Sequence, residues 1–250
     1  MTKQLVIISG MHRSSTSLIA QYMQLCGVTL GNDLLGAHVD NKDGYFENRA
    51  IVELHQQLIL KKRFNLFNSQ IQVTYSPESK STIINEIESL KLGGDIYGFK
   101  DPRNCLFLKP LTNILPTAKH ILIYRSFEEV IDSLIRRGTD KEIRRKPWLA
   151  AKAWITYNSS LIEQMKTNKE SCILFNDAHI INNSIGCVSL INSKFKIELR
   201  SISIQQIYKP NLTKRDNKFN WKTKLISFIY KRKLTVITKQ LESFSSKVAP

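Results

Sequence analysis

The sequence lacks the marks of several protein classes. Its four cysteines, Cys26, Cys105, Cys172 and Cys187, form no CxxC pair and no Cys/His cluster with zinc spacing. A metal knuckle and a disulfide framework are therefore not expected, and the thiols suit burial in a reducing compartment. No apolar run approaches the ~18 residues of a membrane-spanning helix. The short stretch Leu5-Val-Ile-Ile8 leads into Gly10-Met-His-Arg13 and not into a cleavage site, so no signal peptide is expected and the expected location is cytoplasmic. There are no internal repeats and no Pro/Ser linker. Acidic residues are scarce, with 21 Asp and Glu against 37 Lys and Arg, a formal charge of +16. That balance admits nucleic acid, anionic lipid or a polyanionic small molecule as partner and does not choose among them. What is present is ordinary globular composition, 42% hydrophobic and 23% charged, which excludes collagen-like, low-complexity and wholly disordered chains. At about 150 residues per domain, the length allows one domain with an appendage or two small domains.

Hydrophobic periodicity orders the chain. Residues 5–9 read as a buried strand, 10–17 as a polar loop, and Leu18, Ile19, Tyr22, Met23 and Cys26 as a helix closed by Gly27. Residues 28–46 read as loop, and Ile51, Leu54, Leu58 and Ile59 mark a second helix. Residues 64–80 carry no clear signal. Ile83, Ile84, Ile87 and Leu90 mark a helix ended by Gly93-Gly94. Strands are expected at 96–100, 120–124 and 172–175, with helices at 104–114, from Val130 to Gly138, and at 148–166. The alternation predicts a P-loop-like three-layer α/β fold, a central parallel sheet flanked by helices. The tail differs. From Lys209 to Pro250 there are eleven Lys and Arg against Asp216 and Glu242, so +9 of the +16 lies there. Residues 1–208 are expected to form the α/β domain and 209–250 a basic, helical extension. Residues 222–243 read either as a basic amphipathic helix on an anionic membrane or as a terminal helix docked on its domain.

A strand, a Gly/Ser/Thr loop and a helix start make an anion site, because the helix N-terminus offers free N–H groups and the positive end of its dipole. In the Walker pattern, Ser15 stands at the second Gly and Thr16 at the Lys. That Lys serves the β/γ-phosphates of nucleoside triphosphatases, so its absence argues against triphosphate hydrolysis. A cradle of hydroxyls and amides remains, with Arg13 as its cation. A Ser/Thr-rich helix cap is the plainer reading.

Gly10-Met-His-Arg-Ser-Ser-Thr-Ser17 resembles the 5′-phosphosulfate-binding loop of sulfotransferases that use 3′-phosphoadenosine 5′-phosphosulfate (PAPS), especially bacterial members reading GMHRSGTS. The resemblance implies that Arg13 contacts the sulfuryl group and its bridging oxygen, and that Ser14, Ser15, Thr16 and Ser17 hold the 5′-phosphate. Ser15 replaces the family's Gly. It carries strain if that position needs positive φ and costs little if it is helical. Arg125, directly after a strand, and Ser133, on the next helix, resemble the family's 3′-phosphate pair, within a similar stretch from Tyr124 to Arg137 that usually has Pro where Phe127 stands. Taken alone, Arg125 could equally cap the strand and Ser133 lie exposed.

Two further stretches match. Phe99-Lys-Asp-Pro-Arg103 is similar to the bacterial KDPR at a strand end, where ligands bind in parallel sheets. Lys100 and Arg103 could reach phosphate or an acidic acceptor, with Asp101 orienting one of them, or the run is an Asp-Pro turn with solvated charges. Asn41-Lys-Asp-Gly-Tyr-Phe-Glu47 is similar to NPKGYFED, and Glu47 is the choice for the base that takes the acceptor's proton. Its plainer reading is a helix N-terminal Glu. His12, expected to pack behind the loop, and His55 are the alternative bases. The likeness spans residues 5 to about 137, continues more weakly through Trp154 to Phe175, and then is limited to Tyr208-Lys-Pro-Asn-Leu212.

The resemblance implies the sulfotransferase fold and transfer of a sulfuryl group from PAPS to an acceptor hydroxyl, with 3′,5′-ADP as product and no metal. A carbohydrate or small metabolite is the expected acceptor, with lipid and peptide hydroxyls also open, handled by loops 30–46, 64–80 and 138–147. Specific nucleic-acid binding is not expected. The alternatives are a P-loop-type small-molecule kinase and a non-catalytic basic binding protein.

Overall fold

The computed structural model describes residues 3–37, 44–61, 73–137, 141–209 and 219–246. Four short strands form one sheet: β1 (Gln4–Gly10), β2 (Ile96–Lys100), β3 (Lys119–Tyr124) and β4 (Cys172–Asn176). Their order is β2-β1-β3-β4, and every pairing is parallel. The strands are apolar on both faces because both faces are covered. Along β3, Ile121 and Ile123 point to one side and Leu122 and Tyr124 to the other.

Helices fill both outer layers. On one side lie α1 (Thr16–Cys26), then α8 (Asp177–Asn182) and α9 (Ser184–Phe195), which enclose Ile19, Met23, Cys187 and Ile191 against the sheet. On the other lie α2 (Arg49–Lys61), α3 (Pro77–Lys91), α4 (Asn104–Ile114), α5 (Phe127–Arg137), α6 (Lys141–Arg145), α7 (Trp148–Thr167) and α10 (Trp221–Phe244). The expected three-layer architecture is present, with its strands and the helices at 104–114 and 148–166 at the expected places. Helices α6, α8 and α9 had no counterpart in the sequence reading. In α9 the apolar positions Cys187, Val188, Ile191 and Phe195 are interleaved with Ser189, Asn192 and Ser193 and preceded by Gly186, which weakens the helical signal. Gly138, expected to end α5, lies outside the described residues.

The docked alternative holds for the tail helix. Ile226, Leu234, Ile237 and Leu241 of α10 are buried in the same cluster as α5 and α7. The N-terminus of α10 is fastened to α5, where Asp132 Oδ1 accepts from Asn220 N at 2.8 Å and Thr223 Oγ1 at 3.3 Å. Among the described residues no helix is long and apolar enough to cross a membrane.

The topology fixes where a ligand can sit. The chain runs from β1 to β2 on one side and then to β3 on the other, so the connections diverge at the carboxyl ends of β1 and β3. Such a divergence opens a crevice at the strand ends. Gly10 pairs with Ile123 at this edge, and a Cβ on Gly10 would lie 2.5 Å from the Ile123 carbonyl oxygen. Glycine lets the loop leave β1 against its neighbour.

Candidate functional site

The loop from Gly10 to Ser17 turns sharply before α1. Arg13 has φ 68° and Ser15 φ 59°, both left-handed. The Gly-to-Ser departure therefore falls on a strained position, at a cost of about 1–2 kcal/mol for a residue with a Cβ. Ser15 offsets part of it by donating its hydroxyl to Asp177 Oδ2 at 2.7 Å. That bond takes Ser15 away from helix capping, and its side chain makes no cap bond to α1. The first N–H groups of α1, which have no intrahelical acceptor, are left for an anion. Ser14 is buried and its Oγ has no partner within the described structure.

Arg125 leaves the end of β3 and is held from several sides. Trp154 Nε1 donates to its carbonyl oxygen at 3.1 Å, and the Trp154 ring meets Phe127 edge-on at 5.4 Å. Its guanidinium reaches Glu129 Oε1 at 3.2 Å, Asp177 Oδ2 at 3.5 Å and the Arg13 carbonyl at 3.4 Å. Glu129 is fixed by Ser126, whose hydroxyl donates to its other oxygen. Ser133 bonds to Arg13, with Arg13 Nε donating to Ser133 Oγ at 2.9 Å, and makes no bond to Arg125. The loop and the β3–α5 segment thus meet in one crevice with two guanidinium groups and two hydroxyls.

The second cluster lies at the end of β2 and is closed. Lys100 Nζ donates to Glu47 Oε1 at 2.7 Å and to Ser17 Oγ at 3.2 Å. Arg103 Nη1 reaches Asp101 Oδ1 at 2.8 Å and Glu47 Oε2 at 3.4 Å. Glu47 comes inward from a loop in which Gly44 and Phe46 have positive φ. Asp101 holds Arg103 through Oδ1 and lies 2.8 Å from His55 Nδ1 through Oδ2. His55 Nε2 lies 2.7 Å from Tyr75 Oη, and its ring stacks on Phe107 at 4.2 Å. Burial opposes ionisation of Asp101, but Arg103 and His55 outweigh it and hold the carboxyl well below its usual range. Burial pushes the Lys100 ammonium down, against the pull of Glu47.

The candidate bases now separate. His55 is fully buried with both ring nitrogens engaged, so no substrate proton reaches it. His12 is partly exposed, with its ring 6.1 Å from that of Tyr157 and its Nε2 sealed from solvent. Burial, and then the nearby Arg103, push it down to about 3. An imidazole that holds a proton so weakly is a poor general base near neutrality. Glu47 is buried as well, with Oε1 held by Lys100 at 2.7 Å and Oε2 by Arg103. The Arg103 contact is long at 3.4 Å, which leaves Oε2 the oxygen an acceptor hydroxyl can compete for, and Lys100 ties the carboxylate to Ser17 of the loop.

Lys100 and Arg103, read as able to reach phosphate or an acidic acceptor, are paired with Glu47 and Asp101 in the structure. Asp177, Glu129, Tyr75 and the coupling of His55 to Asp101 were not singled out in the sequence. Asp177 had a usable signal, since it follows β4 as Arg125 follows β3. Asn41, Lys42 and Asp43, residues 64–72 and 138–140 of the expected acceptor loops, and residues 210–212 lie outside the described residues.

No protein-family model matches the chain, and no curated protein matches it by sequence. Solved structures do. A sulfotransferase from Mycobacterium tuberculosis superposes with a TM-score of 0.55 at 12% identity, covering 97% of this chain and 77% of that one. A sulfotransferase from Alicyclobacillus acidocaldarius superposes with a TM-score of 0.53 at 11% identity, covering 97% of this chain and 96% of that one. At such identity the likeness is one of fold, and it runs over nearly the whole chain: the four-strand parallel sheet flanked by helices matches these sulfotransferase structures.

Proposed function

We propose that this chain transfers a sulfuryl group from PAPS to an acceptor hydroxyl, with a carbohydrate as the acceptor class. The observation that carries the reading is the crevice between β1 and β3. There Arg13, Arg125, Ser133, the partnerless Ser14 hydroxyl and the uncapped start of α1 converge. These groups fit a donor with phosphates at two ends. Ser14, Ser15, Thr16 and Ser17 with the α1 N–H groups would hold the 5′-phosphate, and Arg125 with Ser133 the 3′-phosphate.

In the reaction the acceptor oxygen bonds to sulfur while the bond from sulfur to the phosphate oxygen breaks. The acceptor's proton goes to Glu47, and 3′,5′-ADP leaves with the electron pair. Arg13 offsets the charge that grows on the departing oxygen, a role that works by fixed electrostatics. Lys100 and Arg103 hold the Glu47 carboxylate in place, and Lys100 links it to Ser17.

Calorimetric titration with 3′,5′-ADP, and with ATP plus magnesium as the contrast, tests the donor site. Saturable binding of 3′,5′-ADP alone is expected, and a preference for ATP with magnesium would turn the reading to a kinase. Arg125→Ala should weaken 3′,5′-ADP about tenfold to a hundredfold, the loss of a charge-assisted forked contact. Arg13→Ala should lower turnover by about 10²–10³. Normal turnover in Arg13→Ala would remove the catalytic assignment.

A further inference from the structure

We propose that the outward face of α10 docks on an anionic lipid surface. The helix has two apolar faces. Thr223, Ile226, Leu234, Ile237 and Leu241 point inward and are buried. Trp221, Leu225, Phe228, Ile229 and Val236 point outward, with Phe228 77% and Ile229 64% exposed. At about 100° per residue, these five fall within an arc of roughly 100° on the side opposite the core. A set of large apolar side chains kept in water along one helix face marks an interaction surface.

The charges on the same helix say which surface. Arg232 and Lys239 lie within the apolar arc. Lys224 and Lys231 border it on one side, Lys222 and Lys233 on the other. Among the described residues none of these six takes part in an ion pair. Glu242 is the helix's single acid. A bilayer with anionic headgroups meets both features together. The apolar arc enters the headgroup and acyl boundary, the bordering lysines extend along it to the phosphates, and Trp221 suits the interface. A second copy of the chain would bring the same lysines and the same positive charge against this face. A nucleic acid would leave the apolar arc exposed. Because the inner face is already packed on α5 and α7, the helix need not fold on binding and carries the domain with it.

The test is co-sedimentation of the full chain with vesicles of phosphatidylcholine plus phosphatidylserine, and with phosphatidylcholine alone. Binding to the mixed vesicles is expected, at least about tenfold weaker on the neutral ones and weakened by salt. Phe228→Glu with Ile229→Glu should lower the affinity about tenfold or more. Lys224→Glu with Lys231→Glu should do the same on the mixed vesicles only. These side chains are exposed, so the thermal midpoint should stay put and show that lost binding is not lost folding. Equal sedimentation with both vesicle types, or with wild type and both variants, overturns the proposal. So does a dimer in analytical ultracentrifugation that Phe228→Glu dissolves while vesicles fail to bind.

Discussion

At the carboxyl edge of β2, Lys100 and Arg103 stand with Glu47 and Asp101. One strand over, at β1 and β3, Arg13 and Arg125 stand with Glu129 and Asp177. Both groups combine two cations with two carboxylates, yet they differ in access. In the β2 cluster all four side chains are buried, and His55 and Tyr75 close it from behind. In the crevice Arg125 and Asp177 are buried too, but Arg13, Ser133 and Glu129 keep part of their surface in water, and Ser14 has an unused hydroxyl. The same charges therefore serve different ends. Where solvent is excluded, each charge needs its partner to remain in the fold. Where water still enters, a carboxylate can hold a guanidinium ready and yield it to a bound anion.

Matched substitutions at the two sites should break the symmetry most. Asp101→Ala leaves Arg103 and His55 buried without their partner and should cost about 3–5 kcal/mol in urea unfolding. If that variant does not fold, Asp101→Asn should still be markedly destabilised. Asp177→Asn keeps an acceptor for Ser15 while removing a charge opposed to the ligand. Asp177 is buried, but Glu129 remains to pair with Arg125, so the variant should lose less stability than Asp101→Asn and should tighten 3′,5′-ADP binding about threefold to tenfold. Equal stability losses from the two asparagine variants would erase the distinction.

A pH series sharpens it at smaller amplitude. Burial alone pushes His120, near the start of β3, down to about 4. The unfolded chain takes up that proton near pH 6.5, so the stability is complete above about 6.5 and is lost as pH falls toward 4, at about 1.4 kcal/mol per pH unit. Asp101 is held low by Arg103, and its contribution is lost only as pH falls below about 3.9, the ordinary Asp value. His120→Leu should about halve the slope of the upper limb, because the depressed His12 contributes over the same range, and should leave the lower limb. Asp101→Asn should do the reverse, and identical profiles for both would show that neither group titrates as described.

The smallest effect belongs to Ser15. Ser15→Gly relieves the left-handed strain and loses the bond to Asp177, so the two nearly cancel, within about 1 kcal/mol. Ser15→Ala loses the bond and keeps the strain, and should be the less stable of the two by about 1–2 kcal/mol in thermal melts. Equal midpoints would mean that the loop relaxes out of its left-handed turn.

Much of this was legible from residue order. Strands announced themselves as short β-branched runs ending in loop residues, and Gly10 to Ser17 showed an anion loop without a Walker lysine. Asp177 and the partners of His55 were harder to see. Asp177 follows a strand much as Arg125 does, but a lone acid there has no motif around it. His55 lies 46 residues from Asp101 and 20 from Tyr75, and nothing local ties the three together. Helix α10 was read as either docked or free for a membrane, whereas its period places apolar residues on two faces.

By itself the sequence determined the alternation of strands and helices, the loop that presents N–H groups at the start of α1, and the presence of a cation beside it. Those are properties of neighbouring residues, set by side-chain period, backbone preference and chain direction. Only the tertiary structure decided which cation is available. Pairing depends on what the sheet order brings within about 3 Å, the range over which a hydrogen-bonded charge is satisfied. That order set Lys100 and Arg103 against Glu47 and Asp101, set Arg125 against Glu129 and Asp177, and left Arg13 with part of its surface in water at the start of α1.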